Sequence, residues 1–253
     1  MSRDVLLLTA TITPPAGMPT LVITDVESRR RDYERTLAFY TGLIGRCFDR
    51  IVFCENSLSD LDSLRAVAAE AGHAERVEFV SFNGVDHPPE FGRAYGEFRL
   101  IDHAMEHARA LAEAAEDQVV WKCTGRYLIR NMAKLVRDRP RRFDLYCNKR
   151  NVPIPWCDMY FLAWNRAGYE VALRGIAPQV KEGPEAGGEA PESRFRRIID
   201  ACGDRLALTP RFRHVPLIDA RRGWDNTPYG ASRWNRKILM REAALRLAPW
   251  LWI

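Results

Sequence analysis

The sequence has no CxxC pair among its six cysteines, no internal repeat and no apolar run long enough to span a bilayer. Cys47, Cys54, Cys123, Cys147, Cys157 and Cys202 mostly sit in apolar, strand-like runs, where free cysteine behaves as a small hydrophobe. That usage suits a reduced, cytoplasmic chain. Met1-Ser2-Arg3-Asp4 leads into only a short apolar run, so no leader peptide is expected. No Gly-x-Gly-x-x-Gly follows the first apolar run and no Gly-x-x-x-x-Gly-Lys-Ser/Thr occurs, which counts against dinucleotide enzymes and P-loop NTPases. Excess charge is also small: 38 Lys+Arg stand against 33 Asp+Glu, a net +5. The cations are spread through helices and form no stripe interleaved with aromatics, so nucleic acid is not an expected partner.

The chain has 253 residues, 47% of them hydrophobic, enough for one substantial core and a single domain, 1–253. Val5–Ile12 is a continuous apolar run ending at Pro14-Pro15, as in a strand covered on both faces. Ser28–Tyr40 has the period of a helix, with Tyr33, Leu37 and Tyr40 on one face and a solvated arginine run, Arg29-Arg30-Arg31, at its start. Asp49–Ser57 and Arg76–Phe82 read as further strands, with Ser57 or Ser59 capping the helix between them. A glycine- and proline-rich loop, 83–96, precedes a long helix over Glu97–Ala115. Gln118 opens a strand through Val119, Val120 and Trp121. Alternation of strand and helix predicts an α/β fold with a mainly parallel central sheet flanked by helices, Rossmann-like in arrangement.

The second half is more mixed. Asn131–Arg139 reads as a short helix, Phe143–Cys147 as a strand, Pro153–Ala163 as a turn entering an apolar run and Leu206–Val215 as a last strand. Lys181–Glu192 is rich in Gly, Pro, Glu and Ala and reads as a flexible surface loop, ahead of a helix over Ser193–Cys202. Ile218–Tyr229 combines charged, aromatic and glycine residues in the manner of a substrate-closing loop. Ser232–Leu247 is a basic amphipathic helix and the chain ends Pro249-Trp250-Leu251-Trp252-Ile253. That pairing suits either core packing or an anionic membrane surface.

Polar residues gather where the strands end: Thr9, Ala10 and Thr11; Glu55, Asn56 and Ser57; Arg93, Tyr95, Gly96 and Glu97; Lys122, Thr124, Gly125, Arg126 and Tyr127. In open α/β sheets ligands bind outside the carboxyl ends of the strands, so the four clusters converge on one edge. Cations, hydroxyls and a glycine there suit a phosphate or diphosphate. Glu55 and Asn56 are placed to recognise a base or ribose. Asp60-Leu61-Asp62 spells DxD, but carboxylates in a first helical turn are ordinary capping chemistry. His103 and His107 have ligand spacing without a third ligand nearby. Asp158, alone among Trp156, Tyr160 and Phe161, is either a carboxylate of raised pKa or a cap for the next element.

LLLTATITP, IVFCENS, RVEFVSF, FGRAYGE and WKCTGRYLIRN, in this order, resemble the N-terminal half of small bacterial GT-A-type glycosyltransferases of capsule, lipopolysaccharide and O-antigen assembly. The resemblance covers residues 4–131. It implies a GT-A-like domain with a nucleotide-sugar donor bound by residues 1–131 and a glycan or lipid-linked acceptor by 132–253. It further implies a cytoplasmic enzyme, peripheral on the inner face of the membrane through its basic C-terminal helix. The family's DxD at the end of the central strand is missing and Thr124-Gly125-Arg126 stands near its place. Dependence on Mg or Mn is therefore open, with Arg93, Lys122 and Arg126 as cations that would neutralise a leaving phosphate. Asp158, Glu97 and Asp225 are the candidate general bases. The alternatives are another nucleotide-dependent transferase and a non-catalytic module binding nucleotide, nucleic acid or membrane.

Overall fold

The computed structural model describes residues 4–18, 21–112, 115–183, 187–221, 232–248 and 251–253, with 232–235 described by backbone alone. In chain order it runs β1 (Val5–Ala10), α1 (Val26–Thr41), β2 (Arg50–Glu55), α2 (Asp62–Glu70), β3 (Val77–Ser81), α3 (Gly92–His107), α4 (Arg109–Ala112) and β4 (Val120–Thr124). There follow β5 (Leu128–Ile129), α5 (Met132–Arg137), β6 (Leu145–Tyr146), β7 (Lys149–Arg150), β8 (Trp156–Cys157) and β9 (Phe161–Trp164). Last come α6 (Arg166–Gly168), α7 (Pro191–Cys202), β10 (Leu208–Thr209), β11 (Ile218–Asp219) and α8 (Ser232–Leu247).

Seven strands form one sheet in the order β10-β6-β9-β4-β1-β2-β3. β1 lies between β2 and β4, parallel to both, and β2 is parallel to β3. β9 runs antiparallel to β4 and β6, so the sheet is mainly parallel with one reversed strand. Every residue of β1 is buried because both faces of the sheet are covered. Val5 and Leu7 join one core with Phe98 and Ile101 of α3 and Phe195 and Ile199 of α7. Leu6 and Leu8 join the other with Tyr33 and Leu37 of α1, Leu64 of α2 and Leu135 of α5. This is the expected α/β arrangement, and it sets the carboxyl ends of β1, β2 and β4 side by side.

Several expected boundaries move. α1 begins earlier, capped by Asp25, whose Oδ1 accepts the Ser28 amide at 2.8 Å. Arg29 is buried, not solvated. α3 begins at Gly92, so Arg93, Tyr95 and Gly96 lie in its first turns with Glu97 and not in a loop, and it ends at His107. Neither serine caps α2: Asp60 Oδ1 accepts the Asp62 amide at 2.9 Å, while Ser57 and Ser59 bond Glu55 and Thr13. Of 206–215 only Leu208–Thr209 enters the sheet. Pro191 opens α7, so the surface loop expected to reach Glu192 stops earlier.

Candidate functional site

The carboxyl ends of β1, β2 and β4 open into a cleft of about 170 Å³. Thr9, Ala10, Thr11, Asn56, Arg93, Gly96, Glu97, Lys122, Thr124, Arg126 and Tyr127 all line it. Residues from all four clusters therefore come together, as a parallel sheet with adjacent strand ends requires. Four of the expected donor-site residues do not line it: Glu55, Ser57, Tyr95 and Gly125.

Glu55 is fully buried, and its carboxylate is occupied by the chain's own donors. It accepts the amides of Ile12 at 3.0 Å, Ser57 at 2.9 Å and Ser59 at 3.3 Å, together with the Ser57 hydroxyl. It ties the segments after β1 and β2 together, which replaces the expected contact with a base or ribose. Asn56 beside it does reach the cleft, accepting the Thr11 hydroxyl at 2.7 Å. Tyr95 packs instead on the rings of His87 and Phe91, with centroids 4.7 and 5.0 Å away. Gly125 donates its amide to Thr9 O at 2.8 Å, and a Cβ there would stand 2.8 Å from that same oxygen. Its glycine serves the close approach of the β4 end to β1 and not that of a ligand.

The floor is a buried ion pair. Lys122 has no exposed surface, and its ammonium pairs with Glu97 while donating to Met159 O at 2.7 Å. Thr9 and Thr124 also donate to Glu97 Oε1, at 2.7 and 3.2 Å. All these contacts converge on Oε1; among the described residues no hydrogen bond is directed at Oε2. Lys122 is thus a neutralised floor residue and not a spare cation for phosphate. Glu97, one-fifth exposed, keeps an oxygen for a hydroxyl in the cleft.

Two guanidinium groups serve as cations. Arg126 is 7% exposed and touches Asp32 at 3.4 Å, a long contact for an ion pair. Arg93 is half-buried, and its buried Nε has no hydrogen-bond partner. Behind them Arg29 donates to Thr11 O through Nε at 2.9 Å and to Ile23 O at 3.0 Å, clamping the segment after β1. Burial lowers the Arg29 pKa, and the charge of Arg126 acts in the same direction. Guanidinium groups held this close make a positive field that an anion relieves.

The opposite wall comes from the second half: Met159, Tyr160, Glu182, Pro191 and Glu192. Glu182 accepts the Arg93 amide at 3.1 Å and donates its own amide to Phe91 O at 2.8 Å, fastening this segment to the start of α3. Asp158 is buried and absent from the cleft lining. Its carboxylate accepts from Asn148 at 2.7 Å and Trp156 Nε1 at 3.1 Å and pairs with Arg150. These three partners leave it the structural role of a buried anchor and replace the free carboxylate the sequence suggested. Asp225 lies outside the described residues.

Arg29, Tyr33, His87, Glu182 and Glu192 line the cleft without having been singled out. Arg29 had a signal, since it stands four before Tyr33 and extends the stripe that continues through Leu37. Glu182 and Glu192 had none, being two glutamates in a glutamate-rich segment. Among the described residues no group of three or more His, Cys, Asp or Glu could hold a metal ion. In the cleft Glu97 Oε1 is paired with Lys122, and Glu182 holds the start of α3.

No family model matches the sequence, and no curated protein matches it. Solved structures of similar chain course include one named as a nucleotide-diphospho-sugar transferase from Desulfovibrio desulfuricans G20. It has a TM-score of 0.46 and 14% identity, covering 97% of this chain and 96% of that one. Galactosyltransferase LgtC, solved with donor and acceptor sugar analogues, gives 0.46 at 10% identity over 93% of this chain and 95% of that one. The inositol-1-phosphate CTP transferase from T. maritima gives 0.45 at 11% identity over 79% and 82%.

Proposed function

We propose that this chain is a glycosyltransferase. It takes a sugar from a nucleotide-sugar donor and passes it to a hydroxyl of a glycan or lipid-linked acceptor in the assembly of a bacterial surface polysaccharide. The observation that carries this reading is the pair Arg93 and Arg126. Both face one cleft at the carboxyl ends of parallel strands, above a floor whose own lysine is already neutralised. A diphosphate between the two guanidinium groups would take hydrogen bonds from both, and its negative charge would relieve the crowding of Arg126 and Arg29. The Thr11–Asn56 pair and Glu97 Oε2 supply polar groups for sugar and ribose hydroxyls. As the anomeric carbon–oxygen bond breaks, the same cations stabilise the charge growing on the departing nucleoside diphosphate.

The acceptor end of this reading includes a membrane surface. Leu239, Met240 and Leu247 of α8 are 65%, 63% and 79% exposed. With Ala243 they share one helical face, on which the exposed Arg236 also lies, with the exposed Arg246 at its edge. An exposed face that mixes apolar side chains with arginines suits an anionic lipid surface, where a lipid-linked acceptor would lie. Among the described residues no helix is long and apolar enough to cross a membrane.

The test is a calorimetric and thermal-shift panel of UDP, GDP, CDP and dTDP, with and without Mg²⁺ or Mn²⁺, against wild type and Arg126→Ala. One nucleotide at about a hundred times its Kd is expected to add roughly 2.7 kcal/mol of stability to the wild type. In Arg126→Ala the affinity should fall at least about tenfold, near 1.4 kcal/mol. The matching sugar conjugate should then be consumed with release of the nucleoside diphosphate. Binding without consumption would leave a nucleotide-binding module, and no binding in a folded protein would remove the reading.

A further inference from the structure

We propose that Glu192 takes the proton from the attacking hydroxyl; this deepens the transferase reading and rests on it. Among the described residues three carboxylates line the cleft, and two of them already hold partners. Glu97 is paired with Lys122 and bonded by Thr9 and Thr124. Glu182 holds the Arg93 amide. Glu192 is half-buried in the same wall, and among the described residues no side chain donates to it. Asp158 has three donors and stands behind the wall.

The backbone under Glu192 is fastened on both sides. Pro191 opens the helix, and Ser193 Oγ donates to Pro155 O at 2.9 Å. The buried Arg194 donates to Glu189 O at 2.8 Å and to Lys181 O. A carboxylate on so constrained a turn needs no rearrangement to meet a substrate. The charged groups acting on it are Arg93 from α3, Asp158 from the segment before β9, Glu182 from the adjoining segment and its own backbone amide. Burial is the largest influence and raises its pKa. Arg93 and the amide pull it down, while Asp158 and Glu182 push it up. A carboxylate of raised basicity that remains accessible is what a proton acceptor requires.

The step balances within the ternary complex. The acceptor oxygen forms a bond to the anomeric carbon, and its proton passes to a Glu192 carboxylate oxygen. The bond from anomeric carbon to donor phosphate oxygen breaks, and its electron pair leaves with the nucleoside diphosphate beside Arg93 and Arg126. Attack from the face opposite the leaving group inverts the anomeric configuration.

The experiment uses the full chain as wild type, Glu192→Gln and Glu192→Ala. Each is given UDP-, GDP-, CMP- and dTDP-sugars, with water or added glycan as acceptor. Nucleotide release is followed from pH 4.5 to 8.5, and affinity for the free nucleotide is measured by calorimetry. For Glu192→Gln, release is expected to fall about 10²–10⁴-fold with nucleotide affinity retained, and the acid limb of the rate profile should vanish. Formate or azide should restore part of the rate to Glu192→Ala, which a purely structural role would not allow. Turnover of Glu192→Gln at the wild-type rate with the acid limb intact overturns this inference alone. A wild type that consumes no nucleotide sugar overturns the parent reading and this one together.

Discussion

On the wall built from the ends of β1, β2 and β4, acids and bases are matched to the chain's own partners. Lys122 meets Glu97, Glu55 meets three amides and a hydroxyl, and Arg29 meets two carbonyls. On the facing wall, formed by 181–183 and the start of α7, Glu192 has neighbours in charge but, among the described residues, no side-chain donor. The first wall is built to keep its shape, since buried charge without a partner is costly. The second carries a carboxylate that none of the described side chains satisfies. A polar residue near a cleft therefore marks ligand contact only after its partners have been counted; Lys122 and Glu55 both looked like donor contacts until theirs were.

This contrast can be broken at the first wall. Lys122→Met keeps most of the stem and removes the charge, leaving Glu97 without its cation. Breaking a buried pair costs about 3–5 kcal/mol; with Glu97 partly exposed, roughly 2–3 kcal/mol is expected from urea unfolding at pH 7. A loss below about 1 kcal/mol would mean the floor tolerates lone charge. Next in size is a pair of glycine substitutions. Gly125→Ala would bring a Cβ to 2.8 Å from Thr9 O and 3.1 Å from the Tyr33 ring, for a cost of about 1–3 kcal/mol. Gly96→Ala meets nothing nearer than 3.7 Å, in the His87 ring, and should stay within about 0.5 kcal/mol of wild type in the same assay.

The smallest effect sharpens the second wall. Burial raises the Glu192 pKa above that of an unfolded glutamate. At low pH both states hold the proton and the residue costs nothing. As pH rises past the ordinary carboxylate range, near 4, and through the raised value, the unfolded state ionises more readily and stability is lost. Glu192→Gln removes that titration. Its melting temperature relative to wild type should therefore be higher at pH 7.5 than at pH 4.5, by an amount below about 1 kcal/mol because the group is half-exposed. A difference of opposite sign would place Glu192 in the first wall's class.

The sheet and the location of the cleft were legible because burial on both faces writes itself as unbroken apolar runs, and Val5–Ile12 is one. Convergence of the strand-end clusters followed from topology alone. Partnership was not legible: nothing in WKCTGRY reveals that Lys122 turns towards a glutamate one helix earlier, or that Asp158 is met by Asn148 and Arg150. Nor does FGRAYGE disclose that its first glycine already belongs to the helix. Glu192 was hidden for a different reason. A segment of Gly, Pro and Glu has no periodicity, so its role depends wholly on where the neighbouring helix fastens it.

β9 is the one strand of the sheet's middle that runs backwards, and its ladder to β4, from Val120↔Trp164 to Cys123↔Phe161, is built from backbone groups. Such a seam holds whichever side chains lie beyond it. In a lineage of related chains, the stretch after β9 is free to drift, lengthen or be exchanged while the register of β1, β2 and β4 stands. A differently shaped facing wall would then arise by rewriting a few dozen residues on one side of a fixed join, with the strand-end wall inherited whole.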